Sequence, residues 1–415
     1  MRALIAGGGT GGHIYPAIAV AEKIVRKQPA SEILFIGAKQ GMEKDLAPQY
    51  GFPIRLIDVK GFSRKNLLKN IGVVSDLLRS IRQIKEIIEE FKPDVAIGSG
   101  GYVSGPVIRT AAKSGVNTFI MEQNAWPGLA NLMAEKYVKK TFIAFEEGKK
   151  HFKFQDKIVV SGNPIRKEFY TVKLFDYRSR LGVKDNEFAV LCFGGSLGAK
   201  TICETFSDIL VNLSKEYNIK IFFVTGSFYF NDVIEKLQVN NVSFRVIKPM
   251  DDATNPGTEA GIANGSNADT NRVIKPAADA GTATYNIDSN AEERVYVMEY
   301  AKNLHEYMAA ADLIVSRSGA LTISEIAVCG KASILIPSPN VTGNHQYYNA
   351  CTLADRGAAN IILEKDLTPM KLLDTILRLK NNKRRINEMA EAGAEIGRLD
   401  AADIIYDHIS AVCRG

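Results

Sequence analysis

A chain of 415 residues exceeds the usual size of one domain, so two domains, each with its own core and with a cleft between them, are expected. Its 46% apolar and 24% charged residues suit a globular protein, and no apolar run reaches the roughly 20 residues of a membrane-spanning helix. Five scattered cysteines without a CxxC pair argue against a disulfide framework or a zinc site, and a net charge of +6 is too mild for a dedicated nucleic-acid binder but agrees with a pyrophosphate ligand or an anionic membrane surface.

The N-terminus runs straight into a strand rather than a cleavable leader, so the chain is expected to stay in the cytoplasm. Apolar strands are predicted at residues 3–6, 33–36, 95–97, 119–121 and 158–160, separated by helix-length segments, and this alternation predicts a parallel sheet. Between Arg64 and Lys92, apolar residues recur at helical spacing beside Arg64, Lys65, Lys69, Arg79, Arg82 and Lys85. The stripe Val74, Leu77, Leu78 and Ile81 reads mostly as a packed crossover helix. The loop from Phe62 to Val73 reads as a segment that docks on anionic lipid, where each basic residue is worth about 1 kcal/mol.

After Gly162-Asn163-Pro164 the pattern restarts, with strands at 188–193, 219–224, 294–298, 313–315 and 333–336. The fold class is therefore α/β, as two Rossmann-like domains with parallel sheets. Residues 251–292 interrupt the rhythm: they are rich in Ala, Asn, Gly, Thr and Asp, show neither helix nor strand period, and are expected to form a mobile, disordered surface insertion without a catalytic role. The pentapeptide Arg-Val-Ile-Lys-Pro at 245–249 recurs at 272–276, as a local duplication or an extended hairpin would give. Residues 401–412 read as an amphipathic terminal helix.

Three glycine turns carry the chemistry. Gly7-x-Gly9-x-x-Gly12, between a strand and a helix, fits the dinucleotide fingerprint, in which main-chain N–H groups and a helix start approach phosphate. A dehydrogenase also needs an acid at the end of the second strand, but Gly37-Ala38-Lys39-Gln40 stands there, which argues against nicotinamide binding. The turn from Gly194 to Thr201 resembles the phosphate loop of an NTPase, yet Ala199 replaces the glycine that motif requires before its lysine. A third cluster runs from Gly98 to Pro106. Each turn alone could be a tight strand-to-helix connection. Together, at the carboxyl ends of strands, they suit two pyrophosphate-bearing ligands, a nucleotide diphosphate and a diphosphate-linked acceptor.

At these turns and beyond, the sequence resembles the GT-B glycosyltransferase family that transfers N-acetylglucosamine from UDP-N-acetylglucosamine to undecaprenyl-pyrophosphoryl-N-acetylmuramyl-pentapeptide. The resemblance covers the chain except for roughly residues 239–293. It rests on residues 8–13, 98–106, 122–124 (Glu-Gln-Asn), 162–166 (Gly-Asn-Pro-Ile-Arg), 194–198, 317–325 and 345–349 (His-Gln-Tyr-Tyr-Asn). It implies a GT-B fold whose sheets face a cleft, with an acceptor- and membrane-binding domain over 1–163, a UDP-sugar domain over 164–397, and a helix over 398–415 returning to the first domain. It implies donor contacts at Thr10, Gly11, Gly12, Asn124, Arg166, Ser196, Ala301, Ala320, Leu321, Thr322, Ile323, Ser324, Glu325 and Gln346. Within that set Ser196 cradles the diphosphate, Arg166 is a diphosphate or hinge contact, Glu325 accepts from the ribose hydroxyls, and the main chain at Ala301 reads the uracil. Gly100, Gly101 and Tyr102 would meet the acceptor diphosphate.

The α-linked donor and β-1,4 product of that family imply inversion by direct attack, for which one general base suffices. His13 is the first candidate, as an imidazole at a helix start, and Glu122 is its rival. No DxD-type motif stands in a suitable place, so no metal and no cofactor are expected, and main-chain N–H groups with Arg166 would stabilise the leaving UDP. The resemblance also implies a peripheral protein on the cytoplasmic face of the inner membrane. Rival readings are an epimerase of the same two-domain form, another acceptor, or a nucleotide-sugar binding module.

Overall fold

The structure, a computed structural model, describes residues 1–59, 71–195, 198–216, 218–247, 282–285 and 294–414; for 71–77, 282–285 and 414 it describes the backbone. Most of the expected insertion, the stretch 60–70, Ser196 and Leu197 therefore lie outside the described residues. Main-chain proximity divides the chain into two compact units: Met1–Phe175 with Arg317–Glu364 and Arg384–Gly415, and Asp176–Ser316 with Lys365–Lys383.

The first unit contains strands β1 (Arg2–Ala6), β2 (Glu32–Ala38), β3 (Ile54–Ile57), β4 (Val95–Gly98), β5 (Asn117–Glu122), β6 (Lys140–Ile143) and β7 (Ile158–Val160). They form one sheet in the order β3-β2-β1-β4-β5-β6-β7, parallel throughout. Both faces are covered, which is why β1 is continuously apolar rather than alternating. Ala3, Ile5, Ile33 and Phe35 enter one layer, with Ile14, Ala17, Ile18 and Ile24 of the helix Gly11–Lys27. Leu4, Ala6, Leu34 and Ile36 enter the other, with Val103, Val107 and Ile108 of the helix Gly101–Lys113.

The helix Ile71–Phe91 joins that second layer through Ile84 and Ile88. In the stripe expected to pack, Leu78 is instead 65% exposed, because the helix meets the sheet about two to three turns further along, at Ile84 and Ile88. The helix Ala401–Arg414 sends Ile405, Tyr406 and Ile409 into the first layer, and its Asp403 pairs with Lys23 at 2.6 Å.

The second unit contains β8 (Phe188–Phe193), β9 (Ile219–Val224), β10 (Phe244–Ile247), β11 (Thr282–Tyr285), β12 (Val295–Met298) and β13 (Leu313–Ser316). Their neighbour order is β11-β10-β12-β9-β8-β13, and all pair in parallel except β11, which runs antiparallel to β10 with Phe244 opposite Tyr285. Residues 282–285 thus form an edge strand inside the stretch expected to lack any, and β10 pairs with them. In the first unit, β14 (Ala332–Leu335) and β15 (Ala359–Ile361) pair in parallel. Among the described residues no helix is long and apolar enough to cross a membrane.

Candidate functional site

In the first sheet the strand order reverses between β1 and β4, and the turns that leave these two strands hold the first and third glycine clusters. Gly101 has φ +79°, and a Cβ there would stand 2.3 Å from the carbonyl oxygen of Gly8. Gly100 has φ +96°, and its Cβ would stand 2.6 Å from Nδ1 of His13. Glycine is required at both positions because the two turns touch through main chain and the imidazole lies against it.

His13 occupies the first turn of the helix Gly11–Lys27, after the extended cap residue Thr10. Its Nδ1 lies 3.0 Å from Oε1 of Gln123, and its carbonyl accepts the hydroxyl of Ser99 at 2.6 Å. Thr10 and Gly12 are exposed, and the N–H groups of Gly11 and Gly12 open the helix, where orphan donors face outward.

Glu43 is fully buried and accepts the N–H groups of Gly9 at 2.9 Å and Ala38 at 2.8 Å. A Cβ on Gly8 would stand 2.3 Å from its Oε1. The amide of Gly9, which a dinucleotide-binding loop would turn to pyrophosphate, is thereby taken by a carboxylate of the same chain. This removes the nicotinamide reading on geometry as well as on motif. Burial, and then the charge of Glu43, push the phenol of Tyr102 above its ordinary range.

Glu122, the rival base, is 2% exposed. Its Oε1 accepts from the main-chain and side-chain N–H groups of Asn124 at 2.9 and 3.1 Å, and its Oε2 from Gly128 N–H at 2.9 Å and Asn131 Nδ2 at 2.8 Å. A carboxylate so enclosed shapes the loop after β5. Proton transfer would require breaking that cradle.

The other expected residues of this unit gather on the helix Ala320–Cys329, which starts after Gly319 and ends at the left-handed Gly330. Ala320, Ile323 and Glu325 are buried, while Leu321, Thr322 and Ser324 are half-buried. Ile323 is fully enclosed in the core, so only its main chain can line a site.

Glu325 Oε1 receives both Nε and Nη2 of Arg166 at 3.0 Å. Burial pushes the Glu325 carboxyl above the ordinary carboxylate range, and the guanidinium offsets only part of that rise. Arg166 sits 5.6 Å from the ring centre of Tyr15 and 5.1 Å from that of Phe169. In this structure its charge is therefore met by a carboxylate and two aromatic faces.

Asn163 and Asn349 tie these groups together. Asn163 Nδ2 donates to Gln123 O at 3.1 Å and to Ser324 Oγ at 3.0 Å. Asn349, with no exposed surface, donates to Asn124 Oδ1 at 3.1 Å and Ser318 O at 3.2 Å, and accepts from Ala125 N–H at 2.9 Å. The main-chain carbonyl of Gln346 accepts the Ser318 hydroxyl at 2.7 Å, and its side-chain Oε1 accepts Ser338 N–H at 2.9 Å. The unit thus joins His13, Asn124, Arg166, the 320–325 helix start and Gln346 in one hydrogen-bonded assembly.

In the second unit, a Cβ on Gly198 would stand 2.1 Å from Thr225 O, so the glycine turn after β8 packs against the carboxyl end of β9. Ala301, 8% exposed, follows β12, whose end lies beside the same strand through Thr225 N–H to Met298 O at 2.9 Å. Ser196 lies outside the described residues. Sequence reasoning passed over Glu43, and it quoted Ser99, Gln123, Asn163 and Asn349 within motifs without a role. A buried carboxylate or amide among glycines, whose main-chain amides need acceptors, is the signal that could have found Glu43.

Residues 3–143 match the glycosyltransferase family 28 N-terminal domain and residues 271–405 its C-terminal domain. A protein of Thermoanaerobacter sp. (strain X514), named UDP-N-acetylglucosamine--N-acetylmuramyl-(pentapeptide) pyrophosphoryl-undecaprenol N-acetylglucosamine transferase, is 38% identical over 99% of this chain and 100% of its own. A protein of the same name from Clostridioides difficile (strain 630) is 35% identical over 99% of this chain and 89% of its own. Among solved structures, MurG of Acinetobacter baumannii superposes with a TM-score of 0.70 at 24% identity, covering 99% of both chains. The UDP-GlcNAc 2-epimerase of Neisseria meningitidis, bound to UDP-GlcNAc, gives 0.63 at 15% identity, covering 99% of this chain and all of its own. Both superpositions match the GT-B fold.

Proposed function

We infer the chemistry from one premise: the chain belongs to glycosyltransferase family 28, whose two domains it carries and whose N-acetylglucosaminyltransferases it matches over its full length. It moves N-acetylglucosamine from UDP-N-acetylglucosamine to undecaprenyl-pyrophosphoryl-N-acetylmuramyl-pentapeptide and forms the β-1,4 disaccharide of the peptidoglycan precursor lipid II. The acceptor hydroxyl attacks the anomeric carbon in line with the departing UDP. As that bond forms, the hydroxyl proton passes to a base and the glycosidic C–O electrons leave with the diphosphate.

His13 is that base. The observation that carries this choice is the contrast between the two candidates: the imidazole stands at an exposed glycine turn, and the Glu122 carboxylate is filled by four N–H donors. Helix-start amides at Gly11, Gly12, Ala320 and Leu321, with Ser196 and its turn, answer the diphosphate charge, so catalysis needs no metal. Glu325 accepts from the ribose through Oε2, since Arg166 occupies Oε1. Arg166 holds that carboxylate in place for the ribose. Leu321, Thr322, Ser324 and Gln346 line the sugar, the main chain at Ala301 reads the uracil, and Asn124 and Thr10 approach the transferred residue. Gly100, Gly101 and Tyr102 meet the acceptor diphosphate.

Residues 1–163 act as the acceptor domain, 164–397 as the donor domain with 251–292 inserted, and 398–415 as a helix returning to the first. The packing of Ile405 and Ile409 beside Ile14 and Ile18 supports the last assignment. The segment from Phe62 to Val73, whose last three residues open the helix Ile71–Phe91, docks the enzyme on the cytoplasmic face of the inner membrane, where the lipid-linked acceptor is met. Charge reversal at Lys65 and Lys69 should reduce flotation with anionic liposomes; unchanged flotation contradicts the docking role. Transfer of radiolabelled N-acetylglucosamine onto a lipid-pyrophosphate acceptor tests the reaction itself.

A further inference from the structure

We propose that Gln123 is a positioning residue: its side-chain amide sets which ring nitrogen of His13 carries the proton, leaving Nε2 bare toward the attacking hydroxyl. This rests on the reading of His13 as the base and adds what makes that histidine competent.

The argument is one of donors and acceptors around a buried amide. Gln123 is 1% exposed. Its Nε2 lies 3.2 Å from Ser99 Oγ and 3.5 Å from the carbonyl oxygen of Met121. The Met121 carbonyl can only accept. Ser99 Oγ spends its single proton on the carbonyl of His13 at 2.6 Å, so toward Gln123 it too can only accept. Both groups on that side of the amide therefore call for its NH2, and Oε1 is left facing the ring, 3.0 Å from Nδ1 of His13.

An acceptor at Nδ1 demands a proton there. In the neutral imidazole, Nε2 then holds the lone pair, as a general base requires. Turning the amide over would set its carbonyl against Met121 O and its NH2 against Nδ1, and would leave Nε2 protonated and useless as a base.

The ring lies close against the Gly100 main chain, where an added Cβ would stand 2.6 Å from Nδ1. The Gly100 main chain and the Gln123 amide, which lie against the ring, are uncharged. The carboxylates of the neighbouring turns, Glu43 and Glu122, are each held by main-chain amides. Gln123 thus does the orienting that a carboxylate does in a Ser-His-Asp triad, but without a charge. A neutral partner orients the ring without setting a charge beside it.

Three measurements on the full-length enzyme test this. Gln123→Met keeps the volume and removes the acceptor. Its kcat should fall about 10–100-fold with KM for UDP-N-acetylglucosamine within about twofold, the size of effect seen when an orienting partner of a functional histidine is lost. Gln123→Glu keeps the shape and, with the Ser99 hydroxyl turned to donate to the new oxygen, adds a charge that favours the imidazolium; the acid limb of its kcat/KM profile should move up by about one pH unit or more.

Nitrogen-15 spectra of wild type, with the His13 signals assigned through His13→Ala, should show Nδ1 protonated and Nε2 bare in the neutral ring. A protonated Nε2 there, or an unmoved acid limb in Gln123→Glu, overturns the positioning role even if His13→Ala is inactive. Near-normal turnover in His13→Ala instead overturns the reading of the base. Because Gln123→Glu is isosteric and the spectra use wild type, the proposal stays decidable if Gln123→Met does not fold.

Discussion

Replacing Asn349 by alanine removes one carboxamide and strands three partners. The side chain has no exposed surface, donates to Asn124 Oδ1 and Ser318 O, and accepts from Ala125 N–H. Ser318 is fully buried and Ala125 is 3% exposed, so water cannot readily replace the lost bonds on that carbonyl and that amide, whereas Asn124 is only part-buried and can turn outward. An orphaned buried polar group costs about 1–3 kcal/mol, so two of them, less about 1 kcal/mol of side-chain entropy no longer lost on ordering Asn349, give a loss of about 1–5 kcal/mol. Urea denaturation reads this as a lower midpoint for the transition of the compact unit that holds Asn349. Transfer activity should also fall at temperatures where the variant is folded, because Asn124 loses its partner.

Asn349→Asp sharpens the case. A carboxylate there would face Ser318 O and Asn124 Oδ1 without water, so its folded pKa rises above the unfolded value of about 3.9. The sign follows: a raised acid is favoured in the fold when protonated, so Asn349→Asp should approach wild type at low pH and lose stability as pH rises from about 4 through its folded pKa. A loss below about 0.5 kcal/mol in Asn349→Ala, with a pH-independent Asn349→Asp, would refute the reasoning.

Glu122→Gln puts an NH2 among four donors and should lower stability by about 2–4 kcal/mol, as judged by thermal melting; a variant that melts normally yet has lost turnover would restore Glu122 as the base. Gly101→Ala places a Cβ 2.3 Å from Gly8 O at φ +79°, so it should push the two glycine turns apart and abolish transfer; full activity in a standard assay contradicts their contact. For Asp403, burial acts upward, but its hydrogen bond to Lys23 and the charges of Lys23, Lys27 and Arg26 hold the carboxyl below its ordinary value. Such a depressed acid stabilises the fold above the unfolded pKa of about 3.9 and loses that contribution as pH falls through the folded value. Asp403→Asn should therefore cost about 1–2 kcal/mol at pH 5–8, discounted because Asp403 is 37% exposed, and the difference from wild type should vanish on acidification; a constant difference down to pH 2 contradicts the pairing.

The continuously apolar strands of both sheets were legible because burial on two faces writes itself as runs such as Ala3-Leu4-Ile5-Ala6. The strands that escaped notice carry weaker runs. In β3, Arg55 and Leu56 face solvent at the sheet edge; β6 opens with Lys140 and Thr141; β15 has three residues with Asn360 in the middle. Leu78 was misread because helical periodicity shows which face is apolar but not how far along a helix its neighbour begins.

The site divides in the same way. Glycine turns are local and could be read as motifs. The side chains that hold them act across long separations: His13 and Gln123 are 110 residues apart, Arg166 and Glu325 159, and Ala125 and Asn349 224. No local spacing encodes such pairs. Arg166 was expected as a diphosphate or hinge contact, and its commitment to Glu325 appears only when the helix Ala320–Cys329 is placed beside it.

The most direct test is transfer of radiolabelled N-acetylglucosamine from UDP-N-acetylglucosamine to a lipid-pyrophosphate acceptor, run with EDTA, on wild type and His13→Ala, each shown beforehand to bind UDP. Wild type should make the labelled lipid-linked disaccharide at its full rate while His13→Ala, binding UDP normally, loses at least about a hundredfold in kcat. Equal rates in the two proteins, or no labelled lipid from wild type, would contradict the account.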